Sequence, residues 1–315
     1  MKIITTQKAN CRDCHRCMRS CPFKAIGIER GQARVIDEKC VLCGRCVTEC
    51  PQRAKQVENR LPAVSAALAA GRPAALSLAP SFVAAFPDWR PAEFIAALAG
   101  LGFSVVEETA VGAAVVSEMY GRLLATAGRP VISACCPVIV NIIKKYYPGL
   151  IDNLAPVLSP MLAHAKLLKQ RYGDRLFVVF AGPCIAKLAE SEEPESRVDA
   201  AVTFEQLRGW LAQAAAVPAA GEGAPAPGRA RYYPIPGGIL KSFVASETTA
   251  TDIIAVDGLE NCLEVFEALQ KGEIAPRFVE ALACMGGCIN GPVSGCGQST
   301  PAKKLRIVEF AAAGP

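Results

Sequence analysis

The sequence predicts an α/β protein with parallel sheets flanked by helices, preceded by a small cysteine-rich module. Two runs of four cysteines lie within the first 51 residues. After them, short apolar runs alternate with longer amphipathic stretches, which is the pattern of strands and helices in a parallel sheet. The remaining cysteines mostly follow apolar runs, and the ends of parallel strands are where such folds form ligand sites.

The cysteine content indicates metal chemistry based on thiolates. The chain has 315 residues with fifteen cysteines and only two histidines, His15 and His164. Thiolates without histidines favour iron–sulfur clusters or zinc. The start "MKIITTQKANCRDC" has no basic leader with an apolar core, and no uninterrupted apolar run reaches the ~18 residues of a membrane span. We therefore expect a cytoplasmic protein with no membrane partner.

The formal net charge of +5 is weak support for a nucleic-acid partner. That value counts every cysteine as neutral, whereas a [4Fe–4S] cluster with four thiolates carries about −2. Three such sites would bring the net charge to roughly −1. We therefore expect no nucleic-acid partner.

The first module is defined by a repeated cysteine run. The segments "CRDCHRCMRSCP" and "CVLCGRCVTECP" both have the bacterial ferredoxin spacing C-x2-C-x2-C-x3-C-P, in which the fourth cysteine ligates the other cluster. This assigns one [4Fe–4S] cluster to Cys11, Cys14, Cys17 and Cys50, and a second to Cys40, Cys43, Cys46 and Cys21. Two zinc knuckles are the alternative, although zinc sites use pairs of cysteines. We assign residues 1–57 to a 2[4Fe–4S] ferredoxin-like domain and 58–72 to a linker.

Residues 73–315 are predicted to form the second domain. Its elements follow in order: the strand "AALSLAP", the helix "PAEFIAALAGLG", the strand "FSVVEE", the helix "AVGAAVVSEMYGRLLATAG", the strand "PVISAC", helices near 138–147 and 160–171, the strand "RLFVVFAGP", the strand–helix pair "AVTFEQLRGWLAQ", then "TDIIAVDG", "ENCLEVFEALQKGE" and "RFVEALAC". The Pro/Gly/Ala-rich segment 217–231 predicts a mobile loop.

Five cysteines of this domain follow strand-like segments. Cys135 and Cys136 end "PVISACC", Cys184 ends "FVVFAGPC", and Cys284 and Cys288 end "EALACMGGC". Four of these five would hold a third cubane, assembled from three distant loops. Two other cysteines stand apart: Cys262 is expected to be a core residue, and Cys296 a surface thiol unless it approaches the cluster.

These segments resemble the signature motifs of the [FeFe]-hydrogenase active-site domain. "SACCP", "GPCIAKLAE" and "EALACMGGC" are similar to the TSCCP, MPCxxKxxE and ExMxCxxGC of that family. The likeness covers nearly the whole chain, including the ferredoxin module. It implies a two-lobed H-cluster domain over residues 73–315, conversion between H2 and protons with electrons passing through the ferredoxin clusters, a redox partner, and dedicated maturation proteins.

The resemblance also implies roles for single residues. It places a [4Fe–4S] subcluster on four cysteines, with the last bridging to a diiron unit that bears CO, cyanide and azadithiolate: Cys136, Cys184, Cys284 and Cys288. Lys187 matches the lysine that pairs with one cyanide, while Pro80 and Ser81 in "LAPSF" match the segment facing the other. Cys135 matches the cysteine that passes a proton to the bridgehead amine, and Glu108 matches the first glutamate of the proton path beyond it. The alternatives are a surface lysine at position 187 and an inert buried thiol at 135.

The chain departs from the catalytic members along that proton path. Val111 stands where the second glutamate is usual and Ala155 where the serine is usual, and neither side chain can carry a proton. Gly182 and Leu282 replace methionines that line the site. These changes resemble the sensory branches of the family, which implies slow H2 turnover and a separate downstream signalling protein. The alternative function is an iron–sulfur electron carrier or cluster-assembly protein without the diiron unit.

Overall fold

The structure, a computed structural model, describes residues 2–213, 228–243 and 252–314. Its strands in these ranges are β1 (Ile4–Thr6), β2 (Ile26–Glu29), β3 (Gln32–Val35), β4 (Lys55–Val57), β5 (Ala74–Leu78), β6 (Val105–Glu108), β7 (Val131–Ile132), β8 (Phe177–Gly182), β9 (Ala200–Thr203), β10 (Ile253–Asp257) and β11 (Phe278–Leu282). Its α-helices are α1 (Arg16–Arg19), α2 (Arg45–Thr48), α3 (Leu61–Ala69), α4 (Phe82–Ala85), α5 (Pro91–Ala99), α6 (Ala110–Thr126), α7 (Pro137–Tyr146), α8 (Pro160–Tyr172), α9 (Ala186–Glu190), α10 (Phe204–Leu211), α11 (Gly238–Phe243), α12 (Leu259–Lys271) and α13 (Thr300–Ala312).

The predicted loop at 217–231 lies partly outside the described residues. Its last part is ordered, because Gly228–Tyr232 forms a 3-10 helix. Two further 3-10 turns are Pro148–Asn153 and Cys288–Asn290. None of the described helices is both long and apolar enough to pass through a lipid bilayer.

The cysteine-rich module is built from two antiparallel strand pairs and two one-turn helices. Strand β1 pairs with β4, and β2 pairs with β3. Helices α1 and α2 each begin after a residue in the left-handed region, His15 at φ 59° and Gly44 at φ 77°. This turn reverses the chain between the cysteines of each run, and it gives the two halves of the module the same local geometry.

Two parallel sheets form the rest of the chain. The first has the order β6-β5-β8-β9, and the second has the order β10-β11-β7. Every residue of β5, β8, β9 and β11 is buried. Strands covered on both faces read as continuous apolar runs in the sequence, as they do here. The prediction of parallel sheets flanked by helices is confirmed.

The carboxyl ends of the two sheets face a common region, and the helices that follow the strands close it. Helix α6 packs closely against α8, since a Cβ on Gly112 would lie 2.4 Å from the carbonyl oxygen of Pro160. Any larger residue at 112 would push the two helices apart. The contact matters for function because α6 and α8 both begin beside the site described below.

The cysteine-rich module packs directly on the second domain. Gly44 lies against Pro292 and Ile185, so closely that a Cβ would meet them at 2.6 and 2.9 Å. Arg45 forms an ion pair with Glu260 of α12, and Lys145 of α7 donates to the carbonyl oxygen of Cys40 at 2.7 Å. These contacts hold the second cysteine run against the loop that contains Cys284 and Cys288.

Candidate active site and metal centres

A cavity of about 110 Å³ lies where the carboxyl ends of the two sheets meet. Its walls come from the loops after β5, β6, β7, β8 and β11, together with Tyr233 and Pro234. Ligand sites form in this position in parallel α/β folds because several loops converge there. Among the sequence-predicted site residues, those that line this cavity are Pro80, Ser81, Cys135, Cys136, Cys184, Lys187, Cys284 and Cys288.

Four of the cavity cysteines are drawn from three loops that are distant in sequence. Cys136 immediately precedes α7, Cys184 follows β8, and Cys284 and Cys288 follow β11. Their thiols are close enough to influence one another: burial, together with the neighbouring Cys136, raises the pKa of Cys184 to about 12. Such thiols lose their protons when a metal binds them, since metal coordination favours the thiolate.

Cys135 lines the same cavity as Cys136, the residue that follows it directly. Burial, followed by the neighbouring Cys136 and Cys288, holds the pKa of the Cys135 thiol well above its ordinary value. The thiol therefore keeps its proton at neutral pH. Adjacent cysteines reach one cavity here because the backbone leaves β7 and enters α7 at this point.

Lys187 is buried and belongs to an ion pair inside the site. Its ammonium donates to Glu190 at 2.5 Å across one turn of α9. Burial works against the charged form of Lys187, yet Glu190 and the thiols of Cys184 and Cys135 hold its pKa above the ordinary value. Lys187 is therefore a fixed positive charge on the cavity wall and not a surface lysine. Glu190, the last residue of the second motif, is the partner that holds Lys187 in this ion pair.

Glu108 is held by a partner that sequence reasoning did not find. Its carboxylate accepts from Arg231 at 2.7 and 3.0 Å, and both side chains are buried. Glu108 is not among the residues lining the cavity. A role of Glu108 as a proton carrier requires this ion pair to open, so that role stays a prediction. Arg231 carried no sequence signal, because it is the last residue of the Pro/Gly/Ala-rich segment 217–231, which contains no motif.

Glu280, the first residue of the third motif, is a second buried carboxylate near the cavity. It accepts from the backbone N–H groups of Gly237 and Leu240 at 2.7 and 3.0 Å. Burial raises the pKa of Glu280 to about 7 against these hydrogen bonds. The carboxylate fixes the start of α11 to β11, which positions Tyr233 and Pro234 on the cavity wall.

One of the two predicted cysteine sets of the ferredoxin-like module lines a smaller cavity. Its wall includes the four thiols predicted for one cluster, which are Cys11, Cys14, Cys17 and Cys50. Gln52 accepts from both Cys14 and Cys50, at 3.6 and 4.0 Å. Cys50 of the second run thus lies beside the first run, as the exchange of the fourth cysteine predicts.

The other four cysteines of the module are also neighbours. Burial, with contributions from the thiols of Cys40 and Cys21, raises the pKa of Cys43 to about 11. Burial likewise raises the pKa of Cys46 to about 12, with Cys43 and Cys40 contributing. Cys43 in turn is near enough to Cys284 to raise its pKa. The second cysteine set therefore lies between the first set and the large cavity.

The donor chemistry of all three sets fits [4Fe–4S] clusters. Within residues 2–213, 228–243 and 252–314, no three His, Cys, Asp or Glu side chains converge on one point as a single metal ion requires. Four thiols spread around a cavity instead suit a cubane, in which each iron takes one thiolate. All fifteen cysteines are free thiols. The large cavity also has space beside its four thiols, bounded by Lys187, Ser81 and Cys135.

The remaining two cysteines line neither of the cavities described above. Cys262 is fully buried on α12, with its sulfur 3.6 Å from the carbonyl oxygen of Leu282. Cys296 lines a separate surface groove with Trp89 and Arg208. Of the two substituted relay positions, Val111 is half-buried on α6, and Ala155 is buried after Leu154.

The fold and the cysteine sites define an iron–sulfur protein of the hydrogenase class. Residues 72–292 match the family model for the iron-only hydrogenase large subunit, C-terminal domain, and residues 3–59 match that for a 4Fe-4S dicluster domain. The first of these matches covers well over half of the chain. The protein belongs to the [FeFe]-hydrogenase family, with a ferredoxin-like 4Fe-4S domain at its N-terminal end.

Two curated relatives show how far the likeness extends. Iron hydrogenase 1 of Clostridium pasteurianum is 24% identical over 62% of this chain and 44% of its own length. The periplasmic [Fe] hydrogenase large subunit of Nitratidesulfovibrio vulgaris is 26% identical over 92% of this chain and 86% of its own length. The chain thus spans less than half of the Clostridium relative.

Solved structures confirm the fold. [FeFe]-hydrogenase HydA1 from Chlamydomonas reinhardtii superposes with a TM-score of 0.61 at 19% identity, covering 81% of this chain and 88% of that one. A structure concerned with stepwise H-cluster assembly in an [FeFe]-hydrogenase gives a TM-score of 0.58 at 20% identity over similar shares, 81% and 88%. The two-lobed α/β fold predicted for the second domain is therefore confirmed.

Proposed function

We propose that this protein reacts with H2, converting it reversibly to two protons and two electrons, and that the electrons pass through two ferredoxin-type clusters. The observation that carries the proposal is the convergence of four cysteines, Cys135, Lys187 and the Pro80–Ser81 segment on one cavity. A plain [4Fe–4S] carrier needs four thiolates alone. It has no use for a buried lysine and an extra thiol on the same wall.

The ligands are proposed as follows. Cys136, Cys184, Cys284 and Cys288 would hold a [4Fe–4S] subcluster, and Cys288 would also be the ligand shared with a diiron unit that carries CO, cyanide and azadithiolate. When bound, that unit supplies the metal centre at which H2 is split or formed. The chain contributes charge and a dry wall, since the cavity is lined mainly by apolar side chains such as Phe180, Met161 and Leu282.

The protein's own groups have separate tasks in this proposal. The Lys187 ammonium would offset the charge of one anionic cyanide, because a fixed cation is worth most in a buried site. Ser81, which is buried at the start of α4, donates its hydroxyl to the other cyanide, and the backbone at Pro80 shapes that pocket. The Cys135 thiol holds the proton that is exchanged with the bridgehead amine.

The cysteine sets give the electrons a direct path. Cys43 lies near Cys284, so the second ferredoxin-type cluster adjoins the large cavity. Cys14, in the first set, is exposed to solvent. We infer that a redox partner exchanges electrons at the Cys14 end. The domain boundaries proposed from the sequence are 1–57, 58–72 and 73–315, and the two family matches at 3–59 and 72–292 support them.

We further propose slow turnover and a role in sensing H2 or redox state. Val111 and Ala155 interrupt the usual proton path, and Arg231 holds the Glu108 carboxylate. A site that exchanges protons slowly stays reduced for longer, which suits a detector that signals to a downstream protein. Maturation proteins would install the diiron unit. We propose the cytoplasm as the compartment, in contrast to the periplasmic relative named above.

The test is the rate of H2 turnover of protein loaded with the diiron cofactor, against the same preparation without it. We expect measurable H2 oxidation and evolution from the loaded protein alone, at rates well below those of catalytic family members. No turnover and no exchange of H2 with D2O in the loaded protein would contradict the proposal. That result would favour the electron-carrier or cluster-assembly function.

A further inference from the structure

A chain of hydrogen-bonded side chains begins at the cavity wall with Thr109, the residue that follows Glu108. Thr109, which follows β6, lines the cavity. Its hydroxyl is 2.7 Å from the hydroxyl of Ser77 in β5, and Ser77 is 2.8 Å from Nδ1 of His164 in α8. Ser77 and His164 are both fully buried. Three different elements thus place three proton-carrying groups in a row.

The chain continues from the imidazole towards the surface. Nε2 of His164 is 3.3 Å from Oε2 of Glu107, a buried carboxylate in β6. The Tyr172 hydroxyl donates to Oε1 of Glu107 at 3.1 Å, and Tyr172 is 47% exposed. Arg171 also donates to this oxygen, at 2.9 Å. The row of hydrogen bonds therefore runs without a break from the cavity wall to solvent.

The chemistry of the groups fixes the direction of the hydrogen bonds. Burial opposes the charged form of Glu107, but the hydrogen bond from His164 and the charge of Arg171 lower its pKa, so it is ionised at neutral pH. An ionised carboxylate only accepts, so Nε2 of His164 must carry a proton. In the neutral imidazole, Nδ1 then accepts from Ser77, and Ser77 accepts from Thr109.

We propose that Thr109, Ser77, His164, Glu107 and Tyr172 form a proton path between the cavity and solvent, which carries protons slowly while the path through Val111 and Ala155 is interrupted. This inference rests on the proposed function, because it assigns the protons of H2 conversion to this chain of residues. Each link joins a donor to an acceptor within hydrogen-bond reach, which is the geometric requirement for proton transfer.

Protons balance at every link. In the outward direction, the Thr109 hydroxyl takes one proton from the cavity and gives its own to Ser77, and Ser77 gives its proton to Nδ1 of His164. Nε2 then releases a proton to Oε2 of Glu107. The carboxyl group and the Tyr172 hydroxyl turn, so that Glu107 donates this proton to the Tyr172 oxygen while Tyr172 gives its own proton to solvent. Rotation of the three hydroxyls and the carboxyl group, and return of the imidazole to its first tautomer, reset the path. No electron moves along it.

A second buried hydroxyl group offers a matched comparison. Tyr233 also lines the cavity, and its hydroxyl is 2.9 Å from Ser117, which is 2.6 Å from Ser242. This row contains no imidazole or carboxylate, so it holds no group that takes up a proton near neutral pH. Ser117 is as deeply buried as Thr109. The variant Ser117→Ala therefore removes a buried hydroxyl outside the proposed path.

The first experiment uses protein with three cubanes and the diiron cofactor. Infrared spectroscopy records how fast the CO and cyanide bands shift after a step to reducing potential, in H2O and in D2O. We expect Ser77→Ala and Thr109→Val to slow this shift at least tenfold with unchanged starting band positions. Thr109→Ser, which keeps the hydroxyl, and Ser117→Ala should stay within twofold of the wild type. Unchanged kinetics in Ser77→Ala or Thr109→Val would overturn the proposal.

The second experiment does not depend on the diiron unit. With His15→Gln, His164 is the only histidine, and its imidazole N–H is followed by NMR in protein that carries cubanes only. We expect the proton on Nε2, exchanging with solvent faster than the backbone amides of β8, and at least tenfold more slowly in Tyr172→Phe. If the His164 imidazole N–H of the wild type exchanges as slowly as those amides, the hydrogen-bonded side chains are closed to solvent. That result would overturn the proposed path. If the first experiment finds no CO or cyanide bands, the proposed function fails while this test still decides the path.

Discussion

Arg231 forms a buried, bidentate ion pair with Glu108, with two N–O distances of 2.7 and 3.0 Å. Arg231 also donates to the carbonyl oxygens of Phe310 and Gly314, at 3.2 and 2.6 Å, and its guanidinium lies over the Phe310 ring. One side chain therefore ties β6 to the C-terminal helix α13. Glu108, which matches a proton-carrying glutamate of the family, is therefore held in a structural ion pair.

Loss of the arginine alone should be strongly destabilising. Arg231→Met leaves the Glu108 carboxylate buried without a partner, which costs about 3–5 kcal/mol of unfolding free energy. Glu108→Met together with Arg231→Met should recover a large part of that loss, because no charge remains buried. Urea unfolding under anaerobic conditions measures both. A free energy of unfolding of Arg231→Met within about 1 kcal/mol of the wild-type value would show that water reaches the ion pair.

Restoring the interrupted positions should raise turnover. We expect Val111→Glu combined with Ala155→Ser to increase the H2 oxidation rate of cofactor-loaded protein several-fold, since both regain groups that carry protons. Val115→Glu is the control, because it adds the same charge one turn further along α6 at an exposed position. An equal increase in the control, or fast turnover of the wild type, would contradict the account of slow proton exchange.

The two adjacent cysteines should have separable effects. Cys136→Ala removes a proposed ligand, so the iron content should fall from about twelve to about eight atoms per chain. Cys135→Ala should keep about twelve and lose H2 turnover by at least a hundredfold once the diiron unit is supplied. Cys262→Ala, a buried thiol outside the three sets, should change neither quantity. Loss of iron in Cys135→Ala would show that Cys135 is a cluster ligand, and it would contradict the separate roles assigned to Cys135 and Cys136.

Stability should depend on the charge of Glu107 in acid. The pKa of Glu107 is lowered in the folded protein, so its contribution is present above the ordinary value of 4.5 and is lost as the pH falls through the folded pKa. Glu107→Gln should cost about 2 kcal/mol at pH 7, and this difference should shrink below pH 4.5. Tryptophan fluorescence during unfolding measures it, with the exposed Glu118→Gln as control. A difference that does not change with pH would refute the ionised state of Glu107.

The cysteine motifs predicted most of the site, because spacing in a short loop decides which thiols share a cluster. The ends of the apolar runs likewise predicted where Cys136, Cys184 and Cys284 would meet, since parallel strands deliver their loops to one edge. The partners of buried charges were less predictable. Arg231 reaches Glu108 across 123 residues of sequence, and His164 reaches Ser77 across 87. Only the fold brings such pairs together, and neither leaves a local pattern.

The most direct test of the central claim is an anaerobic infrared spectrum of the protein after the diiron cofactor or its maturation machinery has been supplied. The account predicts bands of metal-bound CO and cyanide, with a shift of the cyanide bands in Lys187→Met, in which the ammonium is lost. Absence of these bands in protein that contains all three cubanes would contradict it. The cavity beside Cys288 would then serve an electron carrier or assembly protein, and Cys135 would be a buried thiol with no part in H2 chemistry.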